Sequence, residues 1–176
     1  MPAIDTAAYR SAGAAFYRDM MNILLQPKDF FQTLPERKSA GDAVRFLCIC
    51  AGIYSIAATV FAHENHLLYF FMFLLNALFI PVVTATGLYM VLYASGTKTM
   101  DYARTFQIVA YAGVTLLFAW IPGMAPFAEI FKYYLIGAGL VKTGRISIAR
   151  TIGTLLATIA LLFLALYMTK ALTGLA

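Results

Sequence analysis

Long apolar stretches constrain this chain more than any other feature of its sequence. Hydrophobic residues make up 62% of the 176 positions and charged residues only 12%, whereas about 25% of the residues in a soluble domain are charged. Five stretches are long enough for an α-helix to cross about 30 Å of hydrocarbon. These stretches cover residues 40–62, 67–95, 103–121, 125–141 and 146–172. The sequence therefore predicts an all-α integral membrane protein with a bundle of five transmembrane helices.

The basic residues predict how such a bundle is oriented. Eleven of the thirteen Lys and Arg fall into three clusters, within residues 10–45, 98–104 and 142–150. The connections at 63–66 and 122–124 contain neither. Since cytoplasmic loops retain Lys and Arg, this alternation places the N-terminus in the cytoplasm and the C-terminus on the extracytoplasmic side. The clusters are also expected to attract anionic lipid headgroups, so the net charge of +5 does not indicate a nucleic-acid partner.

Residues 1–38 predict an amphipathic arm that precedes the membrane domain of residues 39–176. Apolar residues recur at helical spacing in residues 6–24, and Pro27 opens a second short helical segment. An aromatic-rich face with flanking basic residues suits the membrane interface. The interfacial candidates are apolar side chains on this arm: Phe16, Met20, Phe30 and Phe31. Packing of the arm on lipid and packing on the rest of the protein both agree with the pattern.

Local signals predict where helices of the membrane domain begin and bend. Ser39 and Asp42 form a capping box immediately before the first apolar stretch. Pro81 lies in the middle of the second stretch. Because proline has no N–H to bond to a preceding carbonyl, a kink or tilt is expected at this position.

Charged and amide residues inside the apolar stretches are the candidates for a functional site. Glu129 and Lys132 lie three positions apart and therefore share one face of a helix. A charged residue costs about 2.5–3.5 kcal/mol at the centre of a membrane helix. The pair is therefore predicted to form either a polar site inside the protein or a structural ion pair near the outer interface. Asn76 and Gln107 are further candidates for substrate or partner binding, or for hydrogen bonds between helices.

Two other patterns each have two interpretations. Small residues recur every four positions at Ala149, Gly153 and Ala157. They allow a neighbouring helix to approach closely, either within this molecule or from a partner protein. One outward connection supplies three potential metal ligands: His63, Glu64 and His66. Because one four-residue turn does not complete a closed metal site, a solvated loop is the preferred interpretation, and no metal or cofactor is predicted.

Three motifs carry a family resemblance. The first is the pattern Pro-x-x-Phe-Phe-x-x-Leu at residues 27–34, and the second is the block at 96–122, with its glycine loop, "AYA" and closing "IP". The third is the stretch GAGLVKTGRISIA at 137–149. Together they resemble the Yip1 domain family of small five-span membrane proteins. The chain departs from the family pattern at Thr115, where many members have proline, and at Thr143, where histidine is common. The resemblance implies the shorter bacterial type, located in the cytoplasmic (inner) membrane.

The predicted function is binding rather than catalysis. The sequence contains no phosphate-binding glycine loop, nucleophile elbow or pair of carboxylates with a base, so an enzyme is not predicted. The protein is expected to bind lipids, other membrane proteins or copies of itself, as a scaffold or accessory subunit of a membrane complex. The alternative is a transporter, or a transporter subunit, for ions or small molecules. In that case Glu129, Lys132 and Asn76 line a polar path that bends at Pro81.

Overall fold

The computed structural model describes residues 6–61, 65–97 and 100–173, and the regular structure within these ranges is helical throughout. The helices, in chain order, are α1 (Thr6–Leu25), α2 (Pro27–Arg37), α3 (Ala40–Thr59), α4 (His66–Ala94), α5 (Tyr102–Ala112), α6 (Leu116–Ala119), α7 (Ala125–Thr143) and α8 (Ile148–Thr173). A 3₁₀ turn at Gly113–Thr115 joins α5 to α6. The predicted all-α class is therefore confirmed for the described part of the chain.

Helices lie at each of the five apolar stretches, but they differ in length and composition. Within the described ranges, α3 with 20 residues and α4 with 29 residues are long and apolar enough to cross a bilayer. In α8 a shorter apolar segment covers Ile148–Leu164, and the 3₁₀ turn separates α5 from α6. Two helices thus have the length and composition of membrane spans, and the assignment of five spans stays a prediction.

Side-chain caps and a proline fix several helix starts. The Ser39 hydroxyl accepts a hydrogen bond from the backbone N–H of Asp42 at 3.2 Å, and the Asp42 carboxylate accepts one from the backbone N–H of Ser39 at 3.0 Å. These two bonds confirm the predicted capping box at α3. The Asp101 carboxylate caps α5 by accepting from the N–H of Arg104 at 2.8 Å. Pro27 begins α2, where a helix needs no N–H donor.

The N-terminal arm, which consists of α1 and α2, packs on the other helices. Ile23 and Phe31 are 0% exposed and Leu34 is 1% exposed. Phe30 is also buried, with ring centroids 5.5 Å from Phe31 and 5.0 Å from Tyr111 on α5. The expectation that Phe30 and Phe31 lie in the headgroup boundary is therefore wrong, because the apolar face of α2 is covered by protein.

The other two residues predicted at the interface also contact protein. Phe16 on α1 is half-buried and lies 5.1 Å, between ring centroids, from Phe46 on α3. Met20 is half-buried against the same apolar core. An amphipathic pattern indicates that a helix has one apolar face, but it does not indicate what covers that face. Of the two interpretations of the arm, packing on the rest of the protein agrees with these contacts.

Three polar contacts hold the arm in place, one within the arm and two between the arm and the bundle. The Lys38 ammonium, just after α2, lies 2.6 Å from the Asp19 carboxylate on α1. The Thr143 hydroxyl at the end of α7 donates to the Phe31 carbonyl at 2.6 Å. The Gln107 side-chain amide on α5 donates to the Lys38 carbonyl at 3.3 Å. Because the three contacts involve different helices, they fix the position of the arm on the bundle, and the buried apolar side chains stabilise it there.

Glycines permit the closest approaches between helices. A Cβ atom at Gly139 on α7 would overlap the side chain of Ile108 on α5. A Cβ atom at Gly113, in the turn after α5, would lie 2.8 Å from a methyl carbon of Leu47 on α3. Helix backbones can approach this closely only where one of the two side chains is missing. These glycines therefore set the packing of α5 on α7 and of the turn after α5 on α3.

The predicted small-residue stripe of α8 faces away from the protein. Its three members are exposed: Ala149, Gly153 and Ala157. A Cβ atom at Gly153 would meet nothing within 4 Å. The face of α8 that packs on the other helices instead carries three buried threonines: Thr151, Thr154 and Thr158. The interpretation that the stripe serves packing within this chain is therefore wrong, and the approach of a partner helix is the interpretation that remains.

Candidate functional site

A cavity of about 200 Å³ lies among α3, α4, α7 and the α5–α6 segment. It lies toward the end of the bundle opposite the arm, because it contacts the first two turns of α7 whereas the arm contacts the last. The cavity wall includes six polar side chains: Tyr54, Asn76, Thr84, Thr115, Glu129 and Lys132. Three residues that the sequence predicts for a site, together with Pro81, are thus brought to one place.

Irregular helix geometry and small side chains create this space. Pro81 lies inside α4, and because it has no N–H, the carbonyl of Ala77 lacks its usual helical donor. Across the cavity, α5 ends in the 3₁₀ turn Gly113–Thr115. Ala125 and Ala128 contribute the adjacent part of the α7 wall. Larger side chains at these alanine positions would fill the space between the helices, whereas the small methyl groups leave it open.

Glu129 and Lys132 form an ion pair within one turn of α7. The Lys132 ammonium lies 2.7 Å from Oε1 and 2.6 Å from Oε2 of Glu129, so one donor contacts both carboxylate oxygens. The Lys132 side chain is 17% exposed, whereas that of Glu129 is 57% exposed. The ammonium also lies 5.5 Å from the ring centroid of Tyr133. The pair therefore forms as predicted, with the ammonium as its more deeply placed member.

The wall offers several kinds of hydrogen-bonding group in mainly apolar surroundings. Asn76 on α4 is exposed and provides both donors and acceptors. Tyr54 and Thr84 add hydroxyl groups, which donate and accept. A few polar groups in a largely apolar wall are typical of binding sites for small ligands. The cavity therefore has the chemistry to hold a small polar or ionic ligand.

Sequence reasoning missed two residues of this wall. Thr84 lies three positions after Pro81 and eight positions after Asn76. These spacings bring the three residues to the side of α4 that lines the cavity. The helical period counted from Pro81 would therefore have identified Thr84. Tyr54 is one of eleven tyrosines, and its position in an apolar stretch does not distinguish it from tyrosines at membrane interfaces.

The remaining predicted residues lie elsewhere. Gln107 bonds to the backbone beside the arm rather than facing the cavity. The Nδ1 atom of His66 lies 3.2 Å from the carbonyl oxygen of Thr59, and this contact links the adjacent ends of α3 and α4. His63 and Glu64 fall outside the described residues. Within the described ranges, no group of three or more His, Cys, Asp and Glu side chains is placed to hold a metal ion.

The described part of the chain is all-helical, and two of its helices are long and apolar enough to cross a membrane. A family model described as the Yip1 domain matches residues 21–169. Because this match covers most of the chain, the protein belongs to the Yip1 domain family. The resemblance of its three motifs to that family is therefore confirmed. No curated protein and no solved structure gave a match to the chain.

Proposed function

We propose that this protein is a non-enzymatic, multi-pass protein of the bacterial cytoplasmic membrane that binds partner membrane proteins and lipids. In this role it acts as a scaffold or accessory subunit of a membrane complex. Five helical segments cross the bilayer in the proposed arrangement: α3, α4, the α5–α6 segment, α7 and α8. The alternation of the basic clusters supports an N-terminal arm in the cytoplasm and an extracytoplasmic C-terminus.

The outward position of the small-residue stripe is the observation that carries this proposal. Ala149, Gly153 and Ala157 are exposed on one face of α8, and the space around Gly153 is open. Small residues at four-residue spacing let a second helix approach closely in a membrane, where packing rather than the hydrophobic effect drives association. A helix of a partner protein, or of another copy of this chain, is the complementary surface.

Co-purification with matched glycine variants tests this proposal. Gly153→Leu adds bulk on the stripe, and Gly52→Leu adds the same bulk on α3, where a Cβ atom also meets nothing within 4 Å. Wild type and Gly52→Leu, purified in a mild detergent, are expected to retain the same protein subunit, identified by mass spectrometry. Gly153→Leu is expected to lose it. Equal recovery of that subunit by both variants would contradict binding through α8.

The cavity supports a second candidate function, namely transport of an ion or small polar molecule. Asn76, Glu129 and Lys132 share the cavity wall with Pro81, as the predicted polar path requires. A transporter must also open a route past the half of the bundle that contacts the arm. That half contains side chains with almost no exposure: Phe31, Leu34, Tyr111 and Leu140. The filled interior favours the scaffold over the transporter.

Flux measurements separate the two candidates. The purified protein in liposomes is expected to show no more solute or ion flux than protein-free liposomes. If flux occurs, and if Glu129→Gln and Lys132→Met abolish it without lowering the thermal stability of the protein, the transporter is correct. Asp101→Asn, which alters a carboxylate at the start of α5 outside the cavity wall, serves as the matched control.

A further inference from the structure

A second cavity, of about 310 Å³, follows the groove between α7 and α8 and reaches the start of α2. Its accessible wall is apolar and includes Val141, Ile152 and Leu155. A Cβ atom at Gly137 would lie 3.5 Å from Leu155 and 3.7 Å from Thr151. The two helices are therefore in contact near Gly137, and an apolar furrow remains beside the contact.

Two lysines lie at the end of this groove that is next to the arm. Lys28 is in the first turn of α2 and Lys142 is in the last turn of α7, and both are exposed and line the groove. The hydrogen bond from the Thr143 hydroxyl to the Phe31 carbonyl, at 2.6 Å, holds α2 against the end of α7. The fold thus fixes both lysine backbones. Their alkyl chains extend the apolar wall, while their ammonium groups reach toward polar surroundings.

Neither of these two lysines has an acidic partner in the described part of the chain. The ion pairs found there involve other lysines, Lys38 and Lys132. Asp29 follows Lys28 in α2, but its carboxylate is not within 4.0 Å of either ammonium. Two uncompensated positive charges at the mouth of an apolar groove are complementary to a molecule with an anionic head and a hydrocarbon tail.

We propose that this groove binds one anionic phospholipid, with an acyl chain along α7 and α8 and the phosphate between Lys28 and Lys142. Ammonium groups provide three donors each and bind phosphate oxygens by charge-assisted hydrogen bonds. The groove extends from Tyr133 to Lys142, nine positions or about 13 Å of helix. The apolar wall of this groove suits an acyl chain, and the two lysines at its end suit an anionic headgroup.

The inference rests on the proposed placement of the protein in a membrane, but it is independent of partner binding through α8. The groove is lined by Thr151, Ile152 and Leu155, whereas the proposed partner surface is the neighbouring face that carries Gly153 and Ala157. Different substitutions therefore test the two properties. Native mass spectrometry resolves the lipid-bound mass of the chain with or without a partner subunit, so the lipid assay gives a result whether or not the partner proposal fails.

Native mass spectrometry of the purified full-length protein in a mild detergent tests the lipid site. The protein is titrated with phosphatidylglycerol or with phosphatidylcholine that has the same acyl chains. Wild type is expected to retain one phosphatidylglycerol and to prefer it to phosphatidylcholine. Replacing both lysines, Lys28→Gln with Lys142→Gln, is expected to lower the affinity for phosphatidylglycerol by about fivefold for each lysine. The affinity for phosphatidylcholine is expected to fall less, because its choline ammonium offsets the charge of its phosphate, so the preference for phosphatidylglycerol is expected to disappear.

Two further variants make the test specific to the groove. Arg150→Gln removes a positive charge from the same basic cluster but outside the groove wall, and it is expected to retain the preference. Ile152→Trp adds bulk at an exposed wall position and is expected to weaken retention of both lipids while the thermal unfolding temperature stays within a few degrees of wild type. An unchanged preference in the double lysine variant, or an equal loss in Arg150→Gln, would overturn the proposal.

Discussion

The interior of the bundle next to the arm is filled by large side chains, whereas the interior of the opposite half contains a polar cavity. Large side chains with almost no exposure fill the first half: Ile23, Phe31, Leu34, Ile108, Tyr111 and Leu140. In the second half, Pro81 and a 3₁₀ turn interrupt regular helix geometry, and alanines line the space between the helices. The difference indicates that one half fixes the fold, while the other half is free to carry binding groups.

The polar contacts of the two halves differ in how far apart their residues lie in the sequence. Next to the arm, the hydrogen bond between Thr143 and Phe31 joins residues 112 positions apart. In the cavity, the ion pair between Glu129 and Lys132 joins residues three positions apart. A long-range contact holds separate elements together, whereas a local pair adds little to the tertiary structure. Substitutions in the first half are therefore expected to lower stability far more than those in the second.

The largest effect is expected for truncation of the buried aromatic ring of the arm. Phe31→Ala leaves a cavity in a filled core and should lower the free energy of unfolding by about 3–5 kcal/mol. Phe127→Ala, at a 65% exposed position at the other end of the bundle, should change it little in detergent. Thermal unfolding in detergent measures both variants. Equal losses would show that the two halves do not differ in packing.

A smaller loss is expected from one added methyl group between α5 and α7. Gly139→Ala places a Cβ atom where the side chain of Ile108 lies, and overpacking of this kind costs about 1–3 kcal/mol. Gly153→Ala adds the same methyl group in open space and should be neutral or slightly stabilising, because alanine favours helix over glycine. Urea or thermal unfolding of the two variants compares them directly. A tolerated Gly139→Ala would contradict the close contact of α5 with α7.

Removal of the hydroxyl that holds the arm is expected to lower stability about as much as the added methyl group at Gly139. Thr143→Val keeps the shape of the side chain but leaves the Phe31 carbonyl without its donor, which should cost about 1–3 kcal/mol. Thr59→Val removes a hydroxyl whose hydrogen bond stays within its own helix, where it donates to the Ser55 carbonyl at 2.6 Å. Limited proteolysis is expected to cleave the arm faster in Thr143→Val than in wild type, and thermal unfolding is expected at a lower temperature. The control variant is expected to match wild type in both measurements. The same rate of arm cleavage in both would show that this bond does not hold α2.

The smallest effect on stability is expected in the cavity. Glu129→Gln removes the charge of a carboxylate that is 57% exposed but leaves an amide oxygen that can accept a hydrogen bond from Lys132, so the expected loss is about 1 kcal/mol. Thermal unfolding should therefore match wild type closely. A loss as large as that of Thr143→Val would show that the Glu129–Lys132 pair serves structure, and the contrast between the two halves would fail.

Local features of this structure could be predicted from the sequence. The capping box of Ser39 and Asp42 and the ion pair of Glu129 and Lys132 each join residues three positions apart, so spacing alone identifies them. The position of Pro81 inside α4 follows from its place in the middle of an apolar stretch. Each of these features depends only on residues that are close together in one helix, so the local sequence is sufficient to predict it.

Contacts between distant helices could not be predicted in this way. Nothing in the spacing of Gly139 and Ile108 indicates that they meet, because the relation depends on how α7 crosses α5. The burial of Phe30 and Phe31 was missed for a related reason: an apolar helix face suits lipid and protein equally. On α8 the small residues suggested the packing face, but the buried face carries threonines whose partners include Gly87 and Gly137 on other helices.

Photo-cross-linking in intact membranes tests the central claim, that α8 presents a surface to a partner protein. A photoreactive phenylalanine analogue is placed at Ala157 on the stripe or, as control, at Ile56, which is exposed on α3. The account predicts a discrete protein adduct from position 157 and none from position 56, and a loss of the adduct when Gly153→Leu is added. The claim would be contradicted if irradiation gave no more protein adduct from position 157 than from position 56.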